Sequence, residues 1–133
     1  MTITPRETVD GLAPIPASAI STLATGSRML FLSGQTGQVA DGSVAGPDFK
    51  SQTSQALRNI KTALAANDAT LSDVAKIIFY IVDWNQEKLG PLMESAIEVF
   101  GDEVPVTATT LIGVAALFEP EYLIEIDVTA VVD

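Results

Sequence analysis

Apolar residues change their spacing along this chain, and the changes mark its elements. Two β-type runs, Ile20 to Ala24 and Met29 to Ser33, flank Thr25-Gly26-Ser27-Arg28, which predicts a hairpin turn. Asp41-Gly42, between Val39 and Val44, predicts a second small hairpin. From Asp48 to Asn67 the period becomes helical, with Phe49, Thr53, Ala56, Leu57, Ile60, Ala63 and Leu64 on one face. Asp48 is placed to cap this helix and Asn67-Asp68 to stop it. Lys76 to Val82 is a run of β-branched and aromatic residues without polar alternation, the pattern of a strand covered on both faces. Leu89, Leu92, Met93, Ala96, Ile97 and Phe100 form a second helical face, with Pro91 in its first turn and Gly101 at its end. Two further strands are predicted, Val106 to Ala116 and Tyr122 to Val132.

The resulting order is strand, strand, helix, strand, helix, strand, strand, which suits an α+β domain with two helices on one face of a mixed, mainly antiparallel sheet. No linker, repeat or second core interrupts it, so residues 1–133 are expected to form a single domain. Residues 1–16, polar and carrying Pro5, Pro14 and Pro16, are expected to be an extended leader rather than an element. Ile77, Ile78, Phe79 and Tyr80 offer apolar surface in both directions, so the sheet face opposite the helices needs a cover; other copies of the chain are expected to supply it.

Composition narrows the chemistry more than the fold. There is no Cys and no His, which removes thiolate nucleophiles, imidazole bases, disulfides and the nitrogen and sulfur ligands of zinc. Neither a metal nor a cofactor is expected. The net charge is −10, and no Lys or Arg follows Lys88, whereas carboxylates continue to Asp133; a phosphate backbone would be repelled, so no nucleic-acid partner is expected. No apolar run is long enough to span a membrane, and the opening Met1-Thr2-Ile3-Thr4-Pro5-Arg6-Glu7 lacks the segments of a signal peptide, so a cytoplasmic location is expected.

Two features remain as candidate chemistry. In the last strand, alternation sets Tyr122, Ile124, Ile126, Val128 and Ala130 on one side and Leu123, Glu125, Asp127, Thr129 and Val131 on the other. Glu125, a carboxylate within an apolar strand, either faces water at a sheet edge or is held in a cleft as a base. Ser33-Gly34-Gln35 closes an earlier strand, where a glycine either simply ends the strand or lets a ligand approach the backbone.

Met29-Leu30-Phe31-Leu32-Ser33-Gly34-Gln35, the helix carrying Gln52, Gln55, Leu57, Asn59 and Ile60, Leu71-Ser72-Asp73-Val74-Ala75-Lys76, and Leu123-Ile124-Glu125-Ile126 follow one another in the order of a known family. From about Ala13 to Val132 the chain resembles the RidA (YjgF) family of reactive-intermediate deaminases, also labelled L-PSP endoribonucleases. The resemblance implies a chorismate-mutase-like fold, a homotrimer, and clefts between subunits that bind small carboxylate or carbonyl metabolites. It also implies that a strand arginine grips the substrate carboxylate while a glutamate, matched by Glu125, positions water to hydrolyse an enamine or imine. The arginine is not matched: Thr109 stands at its place, Met93 replaces an asparagine, and Ala19 or Ile20 lies where a tyrosine is common. A guanidinium offers a permanent charge and paired donors that a hydroxyl lacks. Arg28 and Lys76 are the cations a neighbouring subunit could contribute. The expected site is therefore Glu125 as the catalytic carboxylate, with Ser33, the Gly34 amide, Thr109 and Thr110 binding a neutral carbonyl, amide or imine. A divergent hydrolase and a non-catalytic metabolite- or partner-binding trimer both fit; a ribonuclease fits poorly.

Overall fold

Alternation in the last strand decides which way the sheet faces. In the computed structural model, which describes Thr2–Asp133, the elements are β1 (Thr2–Arg6), β2 (Ser21–Thr25), β3 (Arg28–Phe31), β4 (Gln35–Thr36), α1 (Phe49–Ala65), β5 (Val74–Val82), α2 (Leu89–Phe100), β6 (Ala108–Val114) and β7 (Ile124–Val132). The main sheet runs β3-β7-β5-β6, with β4 also pairing to β7, so β7 is central. β3, β4 and β5 are antiparallel to β7, and β5 is parallel to β6 through the α2 crossover. Ile124, Ile126, Val128 and Ala130 of β7 and Ile77 and Ile81 of β5 are buried against Ala56, Leu57, Ile60 and Leu64 of α1 and Leu92 and Phe100 of α2. This is the predicted α+β arrangement of two helices on one sheet face. No described helix is long and apolar enough to cross a membrane.

Both helices start and stop where local chemistry directs. The Asp48 carboxylate accepts the Ser51 amide at 3.0 Å, capping α1, and Asp68 takes a left-handed φ of 56° after its end. Gly101, at φ 59°, ends α2. Between them the Ser54 and Ser95 hydroxyls meet at 2.9 Å, a buried polar tie between otherwise apolar helix faces.

Two expectations about the N-terminal third need correction. The leader is extended, but it also forms an element, because Thr2–Arg6 pairs antiparallel with Ser21–Thr25 as a separate two-stranded sheet. The run around Thr25-Gly26-Ser27-Arg28 is not a hairpin: β2 pairs with β1, and β3 pairs with β7. The Ser27 amide donates to the Val132 carbonyl at 3.1 Å, so the chain steps from one sheet to the other at this point. Long-range register wins over the local turn because pairing with β7 sets Leu30 opposite Ala130 on the helix-covered face. The Asp41-Gly42 turn does form, with Val39 and Ser43 bonded across it.

The opposite sheet face is uncovered in the single chain. Met29 and Phe31 are 61% and 68% exposed, Ile112 is 41% exposed, and Ile78, Tyr80, Glu125 and Asp127 are half-buried. β5 is apolar in both directions, as its sequence reads, with Ile77 and Phe79 facing the helices and Ile78 and Tyr80 facing the other way, but in the single chain only the helix side is covered.

Candidate functional site

The residues singled out from sequence lie on two different faces of the sheet. Glu125 sits on central β7, opposite Thr36 of β4 and Tyr80 of β5, so it does not occupy a sheet edge. Its carboxylate lies against the backbone of Gly34: a methyl group at that glycine would fall 2.4 Å from Glu125 Oε2 and 2.6 Å from Cδ. A side chain at position 34 would require the Glu125 side chain to shift. Ser33 is exposed immediately before it, and its carbonyl accepts Gln35 Nε2 at 3.0 Å. Ser33, Gly34 and Glu125 are thus brought together.

Thr110 shares the face of Glu125 but belongs to the next row. Glu125, Tyr80 and Ile112 are in register across the sheet, as are Asp127, Ile78 and Thr110. Two strand spacings, on the order of 10 Å, separate β6 from β7. Lys76 Nζ donates to the Thr110 hydroxyl at 2.9 Å, so this candidate cation lies on the same open face. The other, Arg28, directs its guanidinium to the Asp133 carbonyl at 2.9 Å from Nε.

Thr109 points the other way. Its register partner is Ile77, which is buried under the helices, and it lines a cavity of about 240 Å³ between the leader, α2 and the β5–β6 part of the sheet. Met93 lines the same cavity. Within one chain Thr109 and Glu125 cannot contact one ligand atom, since the sheet lies between them.

Three positioning residues were given no role from the sequence, although two of them, Gln52 and Asn59, belong to the motif helix. Gln52 is fully buried; its Nε2 donates to the Gly46 and Glu121 carbonyls at 3.0 and 2.9 Å, and its Oε1 accepts the Leu123 amide at 2.9 Å. It therefore fastens the segment entering β7 two residues before Glu125. Asn59, two helical turns on, donates to the Thr36 and Gln38 carbonyls at 3.0 and 2.8 Å and holds the chain just after Gly34. The available signal was an amide on the buried face of an amphipathic helix, where only a bonded polar group is tolerated. Thr107 is the third: its hydroxyl donates to the Ala75 carbonyl at 2.7 Å and meets the Thr22 hydroxyl at 2.9 Å, joining the small sheet to β6.

Tyr122 begins the approach to β7. Burial, reinforced by Glu119 and Glu121, raises its phenol above the usual value, and a hydrogen bond with Thr36 opposes the shift. Among the described residues no cluster of three or more His, Cys, Asp or Glu side chains could hold a metal ion.

The chain is thus a small α+β protein with two helices on one face of a mixed sheet, and Glu125 of the central strand packs on Gly34, just before β4. Residues 11–132 match the family described as endoribonuclease L-PSP, and the chain belongs to this RidA/YjgF family. A RutC family protein of Pyrococcus horikoshii is 34% identical over 124 residues, covering 89% of this chain and 90% of that protein. Among solved structures, a Rid-family protein of unknown function from Yersinia pestis, YyfB, superposes with a TM-score of 0.87 at 29% identity, covering 98% of this chain and 99% of that one. A YjgF-family protein of Mycobacterium tuberculosis superposes at 0.62 with 27% identity, over 98% and 99% of the two chains.

Proposed function

We propose that this protein binds a small uncharged carbonyl, amide or imine metabolite in clefts completed where subunits of a homotrimer meet, and that Glu125 positions the water that hydrolyses an imine or enamine there. The reading is carried by the Glu125 carboxylate lying on Gly34 within a central strand, half-buried yet on the face no helix covers. Ser33 and the Gly34 backbone sit beside it as substrate contacts, and Thr109 and Thr110 can join them only from a neighbouring copy or a separate part of the cleft. Hydrolysis would proceed by addition of the water oxygen to the C=N carbon, with Glu125 taking one water proton and returning it to nitrogen. Glu125 then takes the carbinolamine hydroxyl proton and passes it to nitrogen, and the C–N bond breaks as the C=O bond forms, releasing the amine. A cytoplasmic setting belongs to the same reading.

The lack of any Lys or Arg beyond Lys88 favours a second reading, a non-catalytic trimer that binds a metabolite or partner without turnover. Ribonuclease activity is disfavoured by the charge of −10. The test is amine release from a panel of uncharged imines and enamines by the purified protein and by Glu125→Gln. Turnover that disappears in the variant supports the hydrolase. Full turnover by Glu125→Gln refutes the role given to the carboxylate, and ligands that raise the melting temperature without reacting support the second reading.

A further inference from the structure

We propose that the Tyr80 phenol is a second catalytic group beside Glu125, donating a hydrogen bond to the nitrogen of an uncharged imine while Glu125 activates the water. The inference rests on the hydrolytic reading above and goes beyond it by assigning the donor and the charge state of the substrate.

Register brings the two groups together. Tyr80 of β5 and Glu125 of β7 are antiparallel Cα partners, so their side chains leave the same sheet face, the one without helices, about 5 Å apart at their Cβ atoms. The Glu125 carboxylate then leans over Gly34, just before β4. β4 and β5 pair with opposite edges of β7, so the carboxylate turns away from Tyr80. A planar C=N group lying over β7 meets the acid on one side and the phenol on the other.

The other donors nearby are spoken for or lie on the wrong side. Thr36, Glu125, Tyr80 and Ile112 form one row across the sheet. The Thr36 hydroxyl is buried and donates to Gln38 Oε1 at 3.5 Å, and Ile112 has no proton to give. Lys76 gives its ammonium to Thr110, and Arg28 its guanidinium to the Asp133 carbonyl. Tyr80 is half-buried, and no described residue hydrogen bonds to its hydroxyl. The other tyrosine, Tyr122, is buried and bonded to Thr36. Ser33 also keeps its hydroxyl proton free among the described residues, but it stands next to Gly34, on the side to which the carboxylate leans.

The chemistry needs a donor at that place. As the water oxygen adds to carbon, the π electron pair of C=N moves onto nitrogen. Glu125 and Asp127, two residues apart on the same strand face, make the surroundings anionic and oppose that movement. A phenolic proton already aimed at one nitrogen lone pair offsets the charge as it develops, and Glu125 returns the water proton to the other. Tyr80 keeps its own proton throughout. An iminium ion gains nothing from this donor, because its nitrogen has no lone pair before addition and becomes neutral after it.

The test compares two substrates of benzaldehyde, its imine with methylamine at a pH that leaves it uncharged and its iminium ion with dimethylamine, with spontaneous hydrolysis subtracted. Tyr80→Phe, which keeps the ring, should lower kcat on the imine about 100-fold, with the loss in kcat rather than KM, and stay within about threefold of wild type on the iminium ion. Glu125→Gln should slow both substrates. Equal slowing of both by Tyr80→Phe, the mark of a merely structural role, would overturn the proposal. So would an unchanged kcat on the imine, or a selective loss in Ser33→Ala instead. A selective loss in Tyr80→Phe with full turnover by Glu125→Gln keeps the donor and removes the role of the carboxylate; an inactive Glu125→Gln beside a fully active Tyr80→Phe does the reverse. If wild type hydrolyses neither substrate, calorimetric titration with 2-pyrrolidinone, an uncharged acceptor, decides: binding about fivefold weaker to Tyr80→Phe supports the donor, and equal binding or none overturns it.

Discussion

Replacing Gln52 is the most direct test of how the helix layer positions Glu125. The wild-type amide is fully buried and makes three hydrogen bonds, donating to Gly46 and Glu121 and accepting from Leu123. Gln52→Ala deletes all three. Glu121 is exposed and Gly46 half-buried, so water can reach their carbonyls, which places each loss near the lower end of the range for an unmade bond. The expected destabilisation is about 3 kcal/mol, or about 1 kcal/mol per bond. Gln52→Glu separates geometry from donor chemistry. Its carboxylate can still accept from Leu123 but sets a negative charge against two carbonyl oxygens that had received hydrogens. The folded state should therefore raise the pKa of the introduced carboxyl above its unfolded value. That sign means folded protein binds more protons, so the variant regains stability as pH falls through the raised value and loses it as pH rises. Urea denaturation at several pH values reads both effects, and amide exchange at Leu123 and Ile124 shows whether the entry to β7 loosens. Stability of Gln52→Ala within about 0.5 kcal/mol of wild type, the range of ordinary surface changes, would refute the clamp.

Three further outcomes follow from the same geometry. Gly34→Ala should drive the Glu125 carboxylate off the backbone, seen as a displaced side-chain carboxyl resonance with the fold retained; an unmoved resonance contradicts the packing described. Phe31→Glu, at an apolar position of the uncovered face, should shift the protein toward monomer in sedimentation by removing about 1.5–3 kcal/mol of burial per subunit, and an unchanged assembly would exclude this face as the interface. Backbone and side-chain hydrogen bonds from Ser51 hold the Asp48 carboxyl below its ordinary 3.8, so its contribution is present above that value and lost as pH falls through the lowered one. Asp48→Asn, which keeps an acceptor at the cap but no titrating group, should lose less stability than wild type between about pH 5 and pH 2, and parallel losses would contradict this.

Periodicity alone determined most of the secondary structure. The three- and four-residue spacing from Phe49 to Leu64 and from Leu89 to Phe100, together with the caps at Asp48 and Gly101, specifies two helices through contacts within a few residues. The unbroken run in β5 and the alternation in β7 likewise foretold one strand apolar on both faces and one with Glu125 opposite its core side. The order of short motifs was enough to suggest the family, because it samples the whole chain rather than one site. Strand partners were beyond local reading: the turn after Thr25 looks like a hairpin, yet β2 and β3 join different sheets because pairing is settled by register with β1 and β7. The leader became a strand for the same reason. The site depended still more on tertiary structure. Thr109 and Thr110 are adjacent in sequence, but the pleat sends one into the helix-side cavity and the other to the face of Glu125. A period-two chain encodes that its neighbours part; which face each one receives is decided only when the core side of the sheet is chosen by packing against α1 and α2.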